Sequence, residues 1–219
     1  MQDLVTVTGM VIKSMPISDY DRRITILTKE RGKIGAFAKG ARRQGSRFMA
    51  PTNPFSFGTF KLYEGKNSYN LEDVQIQNYF QQLRKDFEGA YYGMYFLEMA
   101  DYYTRENNDE RQVLKLLYQS LRALTHPAYK KKLIQAVFEI KMLCVNGEFP
   151  GILHSEKLHP DTVYAVNYVV ESPVEKLYTF SLSEEVLEEF SALAGEYRDK
   201  YIGKRFKSLE IMENCMLKK

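Results

Sequence analysis

Cysteine is nearly absent from this 219-residue chain: there are two, Cys144 and Cys215, far apart and in no pattern. That excludes a disulfide framework and suits a reducing cytoplasm. Histidine is equally sparse. His126, His154 and His159 are the three, and none falls in a His-Glu-x-x-His or comparable ligand spacing. His154 and His159, with Glu156 between them, read as loop residues rather than as a metal site. No apolar run approaches the roughly 18 residues that span a bilayer. The opening Met1-Gln2-Asp3-Leu4-Val5 has no basic stretch leading into an apolar one, as a secretory signal would. A cytoplasmic location without a membrane partner is therefore expected. Nucleophile-elbow, phosphate-loop and dinucleotide glycine patterns are missing too, so the chain is not expected to be an enzyme.

What is present is an ordinary globular composition, 44% hydrophobic and 27% charged, enough for one sizeable core or two modest ones. The net charge of +3 says little, but its distribution says more. Residues 1–80 carry 12 Lys+Arg against 7 Asp+Glu, and the rest carry 19 against 21. Between Lys29 and Arg47 there are seven basic residues and one acid, Glu30. Such asymmetry points to an anionic partner for the first part.

The periodicity changes at the same place. Up to about Ile76, short β-branched and aromatic runs alternate with turn residues. Leu4–Met15, Arg22–Thr28, Gly32–Lys39, Phe55–Glu64 and Ser68–Ile76 are the strand candidates. Five strands in so short a stretch predict a small closed barrel of the OB type. Phe55 and Phe57 share one parity, Phe60 and Leu62 the other; a bulge at Gly58 would return all four to the core. From Gln77 the apolar spacing is helical. Phe87, Tyr91, Met94 and Leu97 form one stripe, Val113, Leu117, Ser120 and Leu124 a second, and Leu133, Val137, Ile140 and Cys144 a third. Asp109 is placed to cap the second helix and Pro127 to open the third. Residues 145–180 are punctuated by Gly and Pro, with Val163–Val170 read as a strand, and a last long helix follows Ser183. The expected fold is α+β: an OB-fold domain over 1–78, then a helical domain over 79–219 with an irregular lobe at about 145–180.

Alternation on the third strand sends Ile34, Ala36 and Ala38 inward and Lys33, Gly35, Phe37 and Lys39 outward. Charge, aromatic and charge again is the pattern of a surface that neutralises phosphates and stacks a base. The next segment, Lys39 to Arg47, packs Lys39, Arg42, Arg43 and Arg47 into nine residues, with Gly40 and Gly45 letting the backbone lie close to a ligand. Arginine forks suit phosphate oxygens. This loop is expected to be mobile alone and to order on nucleic acid. Arg22 and Arg23 extend the patch, with Asp19 and Asp21 weakening its field. In the helical half, Lys130, Lys131 and Lys132 with Arg122 form a basic cluster beside an apolar groove, able to hold an acidic peptide or simply to face solvent. Lys204-Arg205-Phe206-Lys207 reads in the same two ways, with nucleic acid as its candidate partner.

Several segments together resemble the RecO family of bacterial DNA-repair proteins: Gly9-Met10-Val11-Ile12-Lys13, Asp21-Arg22-Arg23-Ile24-Thr25-Ile26-Leu27-Thr28, Gly32-Lys33-Ile34, Ala38-Lys39-Gly40-Ala41-Arg42-Arg43, Ser46-Arg47-Phe48 and Pro54-Phe55. The likeness is strong over roughly residues 5–75 and diffuse beyond, where Gly203 and Lys207-Ser208-Leu209 also match. It implies a recombination mediator of the RecFOR pathway. Such a protein binds single- and double-stranded DNA and anneals strands coated by single-stranded DNA-binding protein. It works with RecR to load RecA, so RecA is an indirect partner. Carried over by position, the DNA contacts are Arg22, Arg23, Lys33, Lys39, Arg42, Arg43 and Arg47, to which the strand pattern adds Phe37. The family also holds the C-terminal tail of single-stranded DNA-binding protein through its helical domain, for which Arg122 and Lys130–Lys132 are the candidates. Many relatives carry a four-cysteine zinc module after the motif that is here Gly147-Glu148-Phe149-Pro150. Ile152–Pro160 has no cysteine, so no cofactor is expected and the lobe, a degenerate zinc module, should be held by packing alone. Two rival readings stay open: a protein–protein adaptor whose barrel is a docking module, and an RNA-binding OB protein.

Overall fold

The computed structural model describes residues 3–66 and 68–216. Five strands come first: β1 (Leu4–Pro16), β2 (Arg22–Thr28), β3 (Gly32–Ala38), β4 (Phe57–Glu64) and β5 (Tyr69–Asn78). They close into a barrel in the order β1-β2-β3-β5-β4. Every neighbouring pair is antiparallel except β3 with β5, which run parallel. This is the OB-fold topology anticipated from the strand count. β1 is long enough to serve two partners, pairing with β4 through Leu4–Met10 and with β2 through Gly9–Pro16. A register shift between Val11 and Lys13 bends it from one to the other.

Alternation fills the barrel. Val7, Val11, Ile24, Ile26, Ile34, Ala36, Ala38, Phe60, Leu62 and Leu71 form one buried cluster. Each large member removed from water is worth about 1.5–3 kcal/mol. The bulge expected at Gly58 is present as a register shift between Phe57 and Gly58. A Cβ on Gly58 would lie 2.2 Å from the Gln75 carbonyl oxygen, so β5 can approach only a glycine there. The bulge places Phe60 and Leu62 in the core but does not bring all four aromatic and aliphatic residues together. Phe57 remains half-buried at the strand start, and Phe55 is buried before the strand, with φ 72°.

The helices are α1 (Gln81–Lys85), α2 (Phe87–Tyr103), α3 (Arg111–Leu124), α4 (Lys131–Val145), α5 (Pro160–Glu171), α6 (Glu184–Tyr201) and α7 (Lys207–Met216). The chain divides into two compact units: residues 1–81 with 97–114, and residues 82–96 with 115–219. The boundary near residue 80 is where periodicity changes. The inclusion of 97–114 in the barrel unit has a local cause. Gly32 pairs with Glu106 in an isolated bridge, the Lys33 amide donates to the Arg105 carbonyl (2.9 Å) and the Asn107 amide to the Arg31 carbonyl (3.0 Å). In the second unit, α4 presents Ile134, Val137, Phe138, Ile140 and Leu143 to a core completed by Val166 and Val169 of α5 and Phe190 and Tyr197 of α6. Phe96 stacks on Phe138 at 4.1 Å.

Three expectations are corrected here. Val163–Val170 lies in a helix, not a strand. Pro160 occupies its first turn, the His159 side chain accepts the Asp161 amide, and Ala165, Val166 and Val169 are buried at helical spacing. β-branched content suggested a strand, and capping plus burial overrode it. In α2 the stripe Phe87–Tyr91–Met94 is not the core face: Phe87 is 73% exposed and Met94 41%, while Tyr92, Tyr95, Phe96 and Met99 are buried. Finally, α4 starts at Lys131, after Pro127 has been used in the preceding turn. No helix among the described residues is long and apolar enough to cross a membrane.

Candidate nucleic-acid interface

The outer face of the β1–β2–β3 sheet follows from register. Lys13 sits opposite Thr25 and Met15 opposite Arg23, while Arg23 faces Phe37 and Thr25 faces Gly35. Directly opposed residues share a face, so Lys13, Met15, Arg23 and Phe37 stand together outside the barrel, with Lys39 just beyond on the parity of Phe37. The Arg23 guanidinium carbon lies 5.9 Å from the Phe37 ring centroid. Lys13, Arg23 and Lys39 are exposed and Phe37 is half-buried. A flat ring flanked by cations can stack a base while the cations meet the backbone. Lys13 escaped the sequence reading because the shift after Val11 changes the parity of β1.

Not every expected contact joins this face. At the other end of β3, Lys33 points outward as predicted, but its ammonium sits 3.0 Å from the Asp101 carboxylate and also donates to the Asp101 carbonyl. Arg22 has inward parity at the start of β2. Its Nη1 donates to the Met49 carbonyl (3.0 Å), Thr52 Oγ1 (2.9 Å) and Asn53 Oδ1 (2.8 Å). Burial, and after it the neighbouring Arg42 guanidinium, lowers the pKa of Arg22 from the usual arginine value. Arg22, half-buried, is therefore tied within the fold. Its closeness to Arg42 shows how tightly positive charge is gathered here.

The segment after β3 is a chain of tight turns rather than an open loop. Gly40, with φ 66°, begins it, in a conformation that side chains resist. The Arg43 amide donates to the Gly40 carbonyl, that of Ser46 to Arg43, and that of Met49 to Ser46. The turn between β1 and β2 holds it down. The Asp21 carboxylate accepts the Gly40 amide (2.7 Å), the Tyr20 carbonyl accepts the Arg42 amide (2.8 Å), and Arg42 Nη1 donates to the Ser18 carbonyl (2.7 Å). Arg43 lies over the Tyr20 ring at 5.1 Å. Arg47 lies over Phe48 at 4.7 Å and leans toward Asp73 (3.5 Å), with its Nη2 on the Glu72 carbonyl. Exposed pairs of that kind are worth about 0–1 kcal/mol and exchange readily for a phosphate. The loop expected to be mobile alone is thus laced to its neighbours by at least four hydrogen bonds. Arg23, Lys39, Arg42 and Arg43 show no carboxylate partner among the described residues.

The helical unit treats its cations differently. Lys131 meets Asp86 (2.9 Å) and Glu88 (3.1 Å), Lys130 pairs with Glu184, and Lys132 pairs with Glu188. Arg122 is exposed on α3. The three lysines line a cleft of about 650 Å³ with Tyr92, Leu124 and Tyr129.

Two family descriptions match the chain: "Recombination protein O N terminal" over residues 1–80, and "Recombination protein O C terminal" over 84–152 and 153–210. The chain belongs to the RecO family. Among curated relatives, the DNA repair protein RecO of Acetivibrio thermocellus is 29% identical, over 94% of this chain and 95% of its own length. That of Clostridium novyi is 25% identical over 93% and 91%. That of Symbiobacterium thermophilum is 34% identical over 68% of this chain and 59% of its own. The RecO match thus covers both units, and the coarse function is DNA repair.

Proposed function

We propose that this RecO-family protein binds DNA through the outer β1–β2–β3 face and the basic loop, and brings complementary strands together. The observation that carries the reading is the set of cations Lys13, Arg23, Lys39, Arg42 and Arg43 on this face and the loop that follows it, with Arg23 beside Phe37 and no carboxylate within ion-pair distance of any of them among the described residues. Two phosphate backbones repel each other; cations between them offset that repulsion, and stacking on Phe37 holds bases unpaired until a partner arrives. No group-transfer step is part of this scheme, and no zinc or other cofactor.

Within the same reading, RecR and, through it, RecA are the partners downstream. The acidic C-terminal tail of single-stranded DNA-binding protein is assigned to the cleft near Lys130–Lys132. The apolar lining of Leu124 and the rings of Tyr92 and Tyr129 support that assignment, although the lysines would have to exchange internal carboxylates for those of the tail.

The test is binding and annealing across a salt series. With four to six phosphates contacted, log affinity for single strands should fall against log salt with a slope of about −3 to −4. Arg42→Ala with Arg43→Ala should reduce the magnitude of that slope by about 1.4 and abolish annealing, with the fold intact by circular dichroism. A flat salt dependence, or unaltered annealing by the double variant, would remove the proposal. Competition between matched DNA and RNA oligomers separates it from the RNA-binding alternative, since backbone contacts alone carry no sequence information.

A further inference from the structure

Three consecutive residues at the start of β2 hold both limbs of the basic loop. On one limb, the Asp21 carboxylate receives the Gly40 amide and the Tyr20 carbonyl receives the Arg42 amide. On the other, the Arg22 guanidinium gathers three oxygens, from Met49, Thr52 and Asn53, at 2.8–3.0 Å. Thr52 is buried, and its hydroxyl donates in turn to the Phe48 carbonyl at 2.7 Å. The anchor is therefore a fixed point in the barrel unit rather than another surface residue.

We propose that Tyr20, Asp21 and Arg22 are a positioning clasp: they shape the segment from Lys39 to Asn53 so that Lys39, Arg42 and Arg43 reach the DNA backbone, and they do not themselves contact the strand. The inference rests on the DNA-binding reading above and changes the roles that the sequence suggested for two residues. Arg22 ceases to be a phosphate contact. Asp21, which as a bare charge opposes binding, becomes a residue on which binding depends. Pre-ordering matters because each flexible cation fixed only on binding subtracts its ordering cost from affinity.

The two roles of Asp21 predict opposite signs. If it acts only as a negative charge beside the phosphates, Asp21→Ala and Asp21→Asn should both tighten binding. If it acts as the clasp, Asp21→Ala should bind a labelled oligothymidylate roughly tenfold more weakly despite the charge removed, with a smaller salt slope. Asp21→Asn, whose amide oxygen can still accept the Gly40 N–H, should bind at least as well as the parent. In the Arg42→Ala/Arg43→Ala background, Asp21→Ala should then cost far less, because of the groups it positions only Lys39 remains. Tightening by Asp21→Ala to match Asp21→Asn, or full additivity with the double variant, would overturn the clasp. Should Asp21→Ala fail to fold, Arg22→Lys carries the test. It keeps the charge and loses the fork, so weaker binding with a smaller slope supports the clasp, and unchanged binding and slope overturn it. Failure of the DNA reading would look different: the parent itself would show flat salt dependence or indifference to Arg42→Ala/Arg43→Ala.

Discussion

Each unit carries a cluster of cations that looks alike in sequence, Lys39–Arg47 in one and Lys130–Lys132 in the other, and the fold gives them opposite surroundings. In the barrel unit, Arg23, Arg42 and Arg43 rest on Phe37, a carbonyl and Tyr20. In the helical unit, every lysine of the triplet meets a carboxylate. A cation leaning on a ring or a carbonyl keeps its charge available, whereas one beside a carboxylate is already neutralised for any distant ligand. A run of Lys and Arg is thus only half of a binding surface. The other half is whether the acids that the fold brings alongside pair with those cations or, like Asp21, are taken up by a backbone amide.

Each unit also has a cation that bonds backbone carbonyls from within the fold, Arg22 in the barrel and Lys141 among the helices. The Lys141 ammonium is buried and donates to the carbonyls of Val169 (3.0 Å), Val170 (2.9 Å) and Ser172 (2.7 Å), closing the C-terminal end of α5. Lysine at a helix C-terminus satisfies carbonyls that have no intrahelical partner. The lobe expected to be held by packing alone is therefore also fastened by side chains, Lys141 here and Tyr197 at the Gly151 carbonyl and Leu153 amide. Lys141→Met should produce the largest stability change predicted here, about 3 kcal/mol or more in denaturant unfolding of the full chain, because three carbonyls lose their donor. DNA affinity should stay unchanged. A loss below about 1 kcal/mol would place Lys141 with ordinary surface lysines and end the parallel with Arg22.

On the barrel face, Phe37→Ala should weaken single-strand binding by about 1–3 kcal/mol, roughly 5- to 150-fold, through lost base stacking. The salt slope should stay as it is, since no phosphate contact is removed. A change in slope without a change at high salt would show that Phe37 only props Arg23.

The barrel was legible in the sequence because alternation is strict where one face is buried: β3 reads Ile34, Ala36, Ala38 inward and Lys33, Gly35, Phe37 outward, as observed. The stripe of α3, Val113, Leu117, Ser120 and Leu124, was legible for the same reason at helical spacing. What stayed hidden depends on partners remote in sequence. Lys33 meets Asp101 at a separation of 68 residues and Lys130 meets Glu184 at 54, and neither is encoded locally. Arg22 and Arg23 are adjacent and chemically alike, yet strand parity sends one into the barrel's end and the other outside. Asp21 was legible as a charge, but its hydrogen bond to Gly40 depends on a glycine turn 19 residues away.

The smallest predicted effect examines the helical half of the comparison. Burial opposes ionisation of Asp86, but the Gly89 amide and Lys131 outweigh it and hold its carboxyl below the ordinary carboxylate value. A folded-state pKa below the unfolded one means stability that is complete above the unfolded pKa, near 4. That stability is lost as pH falls through the lower folded value. Lys131 is affected reciprocally: burial works against its charge, yet Asp86 and Glu88 raise its pKa. Lys131→Met should therefore cost only about 1 kcal/mol at neutral pH, solvent screening having weakened these half-exposed pairs. It should also shrink the loss of stability between roughly pH 5 and pH 3. DNA affinity and its salt slope should not move. A Lys131→Met chain whose slope falls by about one would show that this lysine leaves its carboxylates for phosphate, and that the two clusters differ less than their surroundings suggest.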